Sequence, residues 1–392
     1  MKDIYIVGAV RTAVGDFGGS MRDIPPSTLG STVVREAVRR SGLDPQAVDH
    51  VVFGQVVPTE PRDAYLARVA AIEAGLPQEA PALTVNRLCG SGLQAIVSAA
   101  QMLALGDAEI AVAGGAESMS RAPFQSPATR WGARFGDAVL VDVLTGVLTD
   151  PFHRILMGVT AENVAERYAI SRDEQDAYAV ESHRRAARAW AEGRFDGQIV
   201  PVMVRQKRQQ VAFERDEHVR PDAGLADFAK LPTVFKQGGT VTAGNASGMN
   251  DGAAAVVVAT ADAVARHRLT PLARLVAYAH AGVDPAYMGI GPVPATRAVM
   301  KRAGLSVADM DVIEANEAFA AQACAVARDL DFDPEKVNPN GSGISIGHPV
   351  GATGAINTVK AVHELRRTGG RHALVTMCIG GGQGISAIFE RT

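Results

Sequence analysis

The chain has 392 residues, with 39 Lys and Arg against 42 Asp and Glu and a formal net charge of −3. That balance offers no basic face for nucleic acid and no acidic tail, and 47% hydrophobic against 21% charged residues excludes a largely disordered chain. The length asks for two or three domains, and 40 glycines ask for many tight turns.

The start, Met-Lys-Asp-Ile-Tyr-Ile-Val-Gly, carries an acidic Asp3 and a short apolar run, so it reads as a first β-strand rather than a signal peptide. No uninterrupted apolar stretch reaches about 18 residues, and no membrane span is expected. A strand-like segment at 83–85 leads into the turn Asn86-Arg-Leu-Cys-Gly-Ser-Gly92. A helix follows, with Leu93, Val97, Ala100 and Leu103 spaced along one packed face and a stop at Gly106. A buried strand at 110–113 then runs into Gly114 and Gly115. The stretch 119–249 has a different character, with charge runs at 205–208 and 214–217. Its Ser171-Arg-Asp-Glu174 predicts a helix start with a capping box. Gly252-Ala-Ala-Ala-Val-Val-Val258 predicts another buried strand. Beyond 271 the order recurs: a helix with Ala355, Val359, Val362 and Leu365 on one face, a stop at Gly369, a strand at 373–376, Gly380-Gly-Gly382, and a last strand at 384–389.

The recurrence keeps one offset. Gly42 and Gly304, Asp49 and Asp311, and Gly92 and Gly354 are each 262 residues apart. A fixed offset held over such a distance predicts two copies of one α/β unit. The expected division is 1–118 plus 250–270 for the N-terminal half, 119–249 for an inserted loop domain, and 271–392 for the C-terminal half. The insert would supply a lid, a substrate groove or a subunit contact.

Cys89, Cys324 and Cys378 are too few, and odd in number, for a disulfide framework; reduced thiols in a cytoplasmic setting are expected. Cys89 sits in the tight turn before a helix, where free N–H groups and the dipole favour a thiolate nucleophile. His348 lies in Gly341-Ser-Gly-Ile-Ser-Ile-Gly-His-Pro-Val-Gly-Ala-Thr-Gly354, three residues before Gly351, the counterpart of Cys89 in the other copy. A pseudo-twofold relation would bring His348 toward Cys89 as a base. Cys378 ends a buried strand before the glycine-rich Gly380-Gly-Gly382, a backbone whose N–H groups suit an oxyanion. Asn316 and Glu317 stand where a strand turns into a helix; the Asn amide suits polarising a carbonyl, holding a water or capping the helix. Cys324 reads as core. No Cys-x-x-Cys pair is present, so no metal is expected. Neither dinucleotide nor P-loop glycine spacing occurs.

The blocks at Cys89, Asn316-Glu-Ala-Phe319, His348 and Cys378, with Gly244-Asn-Ala-Ser-Gly-Met-Asn-Asp-Gly252, resemble in order and spacing the signature blocks of thiolases, over the whole chain. The likeness is strongest to bacterial acetyl-CoA acetyltransferases and the broader-range β-ketothiolases of polyhydroxyalkanoate synthesis. It implies the thiolase fold, duplicated α-β-α-β-α halves with an inserted loop domain, and a homotetramer built as a dimer of dimers. It implies reversible Claisen condensation of two acyl-CoA molecules, with thiolysis of 3-ketoacyl-CoA as the reverse. Cys89 would carry the acyl group, His348 would activate it, and Cys378 would move the α-proton. The N–H groups of Cys89 and Gly380 would hold one oxyanion, and Asn316 with His348 the enolate. Coenzyme A, as substrate rather than prosthetic group, would lie near Arg220, Ser247 and Ala243, with Leu148, Met157, Leu231 and Phe235 as walls and Met288 and Phe319 lining the acyl pocket. Biosynthetic members often carry His-Met-Gly where this chain has Leu156-Met-Gly158.

Three other expectations stand beside it: a degradative 3-ketoacyl-CoA thiolase, a condensing enzyme of the ketoacyl-synthase type, and a non-catalytic CoA- or lipid-binding protein. The intact Cys89, His348 and Cys378 weigh against the last.

Overall fold

The computed structural model describes residues 3–392, so Met1 and Lys2 of the expected opening strand lie outside the described residues. The N-terminal half supplies β1 (Ile4–Thr12), β2 (His50–Gly54), β3 (Ala82–Val85), β4 (Ile110–Ser118) and β5 (Asn250–Thr260). The C-terminal half supplies β6 (Ala273–Gly282), β7 (Val312–Ala315), β8 (His372–Ile379) and β9 (Gln383–Arg391). The main helices are α1 (Pro26–Ser41), α2 (Leu66–Ala74), α3 (Ser91–Leu105), α4 (Met157–Tyr168), α5 (Arg172–Ala191), α6 (Pro292–Ala303), α7 (Ala320–Leu330) and α8 (Thr353–Thr368).

The strands follow the order β7-β8-β9-β6-β1-β5-β4-β2-β3, with Gly15–Asp16 and Ile199–Val200 paired off that path to β5 and β1. The outer pairs β7–β8, β4–β2 and β2–β3 are parallel, and the pairs between them are antiparallel. The two halves join where Tyr5 faces Arg274 and Ile6 faces Ala273. β5, rich in Ala and Val, is buried along its whole length, as a strand covered on both faces must be.

The expected five layers are shared between the halves. α1 and α2 cover one outer face, α6 the other, and α3 and α8 pack together between the two groups of strands. The offset of 262 holds in the contacts as well. Asp49 accepts the N–H groups of Glu109 and Ile110 at 2.9 Å each, and Asp311 accepts those of Arg371 and His372 at 2.6 and 3.0 Å. The central helices touch through glycine: a Cβ on Gly354 would stand 2.4 Å from the Leu93 nitrogen, and one on Gly92 2.7 Å from that of Ala355.

One stretch departs from the sequence expectation. Leu88–Leu105 has a mean hydropathy of 1.4 over 18 residues, long and apolar enough to cross a membrane by length and composition. Gln94, Ser98 and Gln101 interrupt the run, which hides it in the sequence. It forms α3, enclosed between two groups of strands, and that burial accounts for its apolarity.

Residues 119–249 lie between β4 and β5 and hold α4, α5 and the hairpin Val202–Gln206 with Gln209–Phe213. Arg11 of β1 anchors this segment. Its buried guanidinium bonds Asp216 at 2.8 and 3.0 Å and Gln198 at 2.8 Å. Ser171 caps α5 by accepting the Glu174 N–H at 3.2 Å. The other half of the expected capping box is replaced, because Arg328 takes the Glu174 carboxylate at 2.5 and 2.6 Å.

Candidate active site

Cys89 occupies the turn between β3 and α3. The turn is tied by its own polar groups: Asn86 Oδ1 accepts the Leu88 N–H at 2.9 Å, and Ser91 Oγ accepts the Arg87 N–H at 2.8 Å and donates to the Leu88 carbonyl at 2.7 Å. These bonds hold Leu88 at φ +47°, left-handed backbone that a branched residue rarely adopts. Two N–H groups, of Gly380 and of Cys89 itself, point at the Cys89 sulfur. Burial nevertheless raises the thiol pKa; the two N–H groups pull it down, and the nearby Glu117 charge pushes it up again. The expectation of a resting thiolate is thereby corrected. Desolvation outweighs the helix N-terminus, and Cys89 rests as a thiol.

Cys378 stands near the end of β8, two residues before Gly380, and is fully buried. Burial lifts its pKa well above that of an ordinary thiol, and the charge of Cys89 adds to the lift. The two thiols are thus within electrostatic reach of each other across the two halves.

His348 enters from the loop before α8. Its N–H bonds Asn250 Oδ1 at 2.8 Å, and its Nδ1 lies 2.6 Å from Thr353 Oγ1. The Thr353 hydroxyl donates to the Pro349 carbonyl at 2.9 Å, so toward His348 it accepts. That assigns the ring proton to Nδ1 and leaves the Nε2 lone pair open. Asn316 Nδ2 lies 3.5 Å from that Nε2. Asn316 Oδ1 is buried and without a hydrogen-bond partner among the described residues. Burial lowers the His348 pKa to about 4, so at neutral pH the ring is an uncharged base.

Glu117, at the end of β4, is a residue that sequence reasoning missed. Its buried carboxyl accepts the N–H groups of Val56 at 2.9 Å, Val57 at 3.0 Å and Gly351 at 2.8 Å, tying the turn after β2 to the counterpart of the Cys89 position. Burial pushes its pKa up to about 8 although the three N–H groups favour the charged form. Thr353 and Asn250, which orient His348, were quoted within motifs but given no task. Nothing in their spacing signals one.

The residues assigned to substrate walls separate into groups. Met157, Met288, Phe319 and Cys378 form one apolar cluster with Phe235 packed against it. Leu148 belongs to a second cluster, with Leu88 and Cys89. Ser247 gives its N–H to the Ala318 carbonyl at 2.9 Å and Ala246 bridges Phe319, so the 243–250 segment runs beside the Asn316 turn. Ala243 on that segment is exposed, and Leu231 abuts Gly244. Arg220 is exposed, bonded to Asp16 and to the Glu217 carbonyl at 3.0 Å each. Neighbouring His218 also bonds Asp16 and approaches Gly248. Leu156 caps α4 and is exposed. Cys324 is core, on α7.

A duplicated α/β body that sets two thiols within electrostatic reach, with two N–H groups aimed at one of them and a buried neutral imidazole in the loop before α8, has the parts of an acyl-transfer enzyme. The family description "Thiolase, N-terminal domain" matches residues 4–262 and "Thiolase, C-terminal domain" matches 269–391. The chain is 65% identical over 391 residues to the beta-ketothiolase BktB of Cupriavidus necator, covering 100% of this chain and 99% of the relative. It is 49% identical over 393 residues to the acetyl-CoA acetyltransferase of the same organism, covering 100% of each. It superposes on a crystal structure of human mitochondrial 3-ketoacyl-CoA thiolase in complex with CoA with a TM-score of 0.97 and 46% identity, covering 100% of this chain and 98% of that one. The chain belongs to the thiolase family and is an acyltransferase.

Proposed function

We propose that this thiolase joins acetyl-CoA to a second acyl-CoA by Claisen condensation, and cleaves 3-ketoacyl-CoA in reverse, through an acyl group carried on Cys89. The observation that carries the reading is the pair of N–H groups, of Gly380 and of Cys89, aimed at the Cys89 sulfur, with Cys378 near enough that a charge on Cys89 would reach it. In the acylation step, neutral His348 takes the Cys89 proton, the sulfur attacks the thioester carbonyl, and the proton leaves on coenzyme A. The N–H groups of Cys89 and Gly380 receive the oxyanion. Acylation leaves no ionisable thiol at Cys89, so no Cys89 charge can form to oppose ionisation of Cys378. His348, neutral again, takes the Cys378 proton, and the Cys378 thiolate then takes a proton from the carbon next to the second thioester carbonyl. The Asn316 amide and the protonated His348 stabilise the enolate, which attacks the acyl carbon; the bond to Cys89 breaks, and the released sulfur recovers a proton from His348.

Coenzyme A would lie along the insert, its phosphates near Arg220 and its pantetheine arm past Ser247 and Ala243 between Leu148, Met157, Leu231 and Phe235. Met288 and Phe319 would bound the acyl group. The human relative solved in complex with CoA supports coenzyme A as the ligand. Leu156 leaves an apolar group where biosynthetic members often place His, which loosens any strict restriction to the four-carbon substrate and suits a supply of 3-ketoacyl-CoA for polyhydroxyalkanoate synthesis. We also propose a homotetramer. Phe124, Trp131, Phe135, Leu140 and Phe152 on the insert are exposed, and β3 ends the ladder with an open edge, features that a second copy would cover. Three unpaired thiols suit the reducing cytoplasm.

Intact-mass measurement with acetyl-CoA tests the core of the proposal. The protein should gain one acetyl group, lose it on adding coenzyme A, and gain none as Cys89→Ala. An acetyl group retained by Cys89→Ala would overturn the assignment. Thiolysis rates over a series of 3-ketoacyl-CoA lengths then test the Leu156 argument, and preference for the four-carbon substrate alone would refute it.

A further inference from the structure

A cavity of about 270 Å³ opens beside Glu317, lined among others by Tyr178, Ser182, Cys324 and Asn338. It shares no lining residue with Cys89, His348, Cys378 or Asn316. The Glu317 carboxylate is fully buried, and no step above uses it. It accepts Ser182 Oγ at 2.6 Å, Tyr178 OH at 3.3 Å, Asn338 Nδ2 at 3.0 Å and the Ile344 N–H at 3.2 Å. One side chain thus gathers α5 of the insert, the turn at Asn338 and the loop that leads to His348.

That loop presses on Asn316. A Cβ on Gly343, the residue before Ile344, would stand 2.9 Å from Asn316 Oδ1 and 2.7 Å from the Glu317 carbonyl. Among the described residues the Asn316 side chain has one polar contact, the 3.5 Å approach to His348. His348 is held independently, by Asn250 on its N–H and Thr353 on its ring. Loosening the Ile344 loop would therefore release Asn316 and leave His348 in place.

We infer that Glu317 is a positioning residue: its carboxylate holds the Ile344 loop against Asn316, setting the amide for the enolate stage, and it takes no part in acylating Cys89. This rests on the reading of Asn316 given above. The test compares full-length Glu317→Gln, Glu317→Ala and Asn316→Ala in two assays with acetyl-CoA. One is acetyl loading by intact mass; the other is exchange of the acetyl methyl hydrogens with D2O. Glu317→Gln should load acetyl as the parent does and exchange about 100-fold more slowly, the loss expected when a reacting group shifts by ~1 Å. Glu317→Ala opens the carboxylate's place to the cavity, so added formate should restore exchange there and not in Asn316→Ala. Equal loss of loading and exchange in Glu317→Gln overturns the inference, as does absence of formate rescue in folded Glu317→Ala. If Glu317→Ala does not fold, Glu317→Gln decides, since it keeps the shape and removes the charge. Exchange at the parent's rate in Asn316→Ala would sink the enolate role itself. Loss in Asn316→Ala with none in Glu317→Gln would sink only the inference about Glu317.

Discussion

Thr353→Val is a sharp probe of how His348 becomes a base. The substitution keeps the shape and removes the acceptor that lies 2.6 Å from His348 Nδ1. The imidazole is buried, so it has two responses. It can keep the proton on Nδ1 with no acceptor, at a cost of about 1–3 kcal/mol for an unsatisfied buried donor. Or it can move the proton to Nε2, where it meets the Asn316 amide and can no longer receive the Cys89 proton. Either way the competent tautomer is disfavoured by up to that amount, a factor of about 5 to 150 in its population. Rapid-quench intact mass reads the consequence directly as the rate of acetyl loading on Cys89. Thr353→Ser should restore the rate because it returns the hydroxyl. The melting temperature of each variant separates this effect from general loosening. Loading by Thr353→Val at the parent's rate, or by Thr353→Ser as slowly as by Thr353→Val, would refute the tautomer argument.

The same chemistry fixes a pH profile. His348, with its pKa lowered to about 4 from an ordinary 6.5, stays neutral until the medium is strongly acidic, and only below that point does the imidazolium lose the ability to take a proton. Acetyl loading should therefore be level from about pH 5 upward and fall on the acid side near pH 4; an acid limb centred near 6.5 would mean the ring is solvated. In the central layer, Gly354→Ala would drive a methyl to 2.4 Å from the Leu93 nitrogen. Backbone cannot yield as a side chain can, so the loss should exceed the ~1–3 kcal/mol typical of overpacking. A thermal melt of Gly354→Ala that matches the parent would show that α3 and α8 separate freely.

Much of this molecule is legible in its sequence because the duplication repeats small, local signals. The helix stops at Gly42 and Gly304, and the paired aspartates Asp49 and Asp311, return at one offset and do the same job in each half. The strand–turn–helix around Cys89 is also local, set by Asn86 and Ser91 within the turn. What the sequence conceals is set by partners far away. The Glu117 carboxyl is defined by Val56, Val57 and Gly351, and the Glu174 side chain leaves its own helix cap for Arg328. The protonation of Cys89 failed as a sequence expectation for a related reason. A helix N-terminus can be read from spacing, whereas the desolvation that overrides it depends on what the other half places over the turn.

The duplication also explains why the site needs both halves. Cys89 and Gly351 are counterparts 262 residues apart, and so are Ala116 and Cys378. One half keeps a thiol in the turn, the other keeps one on the strand, and in each case the partner position is small. Contacts cross in both directions: Gly380 of the C-terminal half gives its N–H to Cys89, and Glu117 of the N-terminal half receives that of Gly351. A single half would possess either the nucleophile or the base with its imidazole, and the sulfur would face water rather than the opposing N–H. The neutral thiol, the depressed histidine and the second thiol all depend on desolvation, and that desolvation exists only where the two halves close over α3 and α8. The glycine contact between those helices is therefore a condition of the chemistry as well as of the packing.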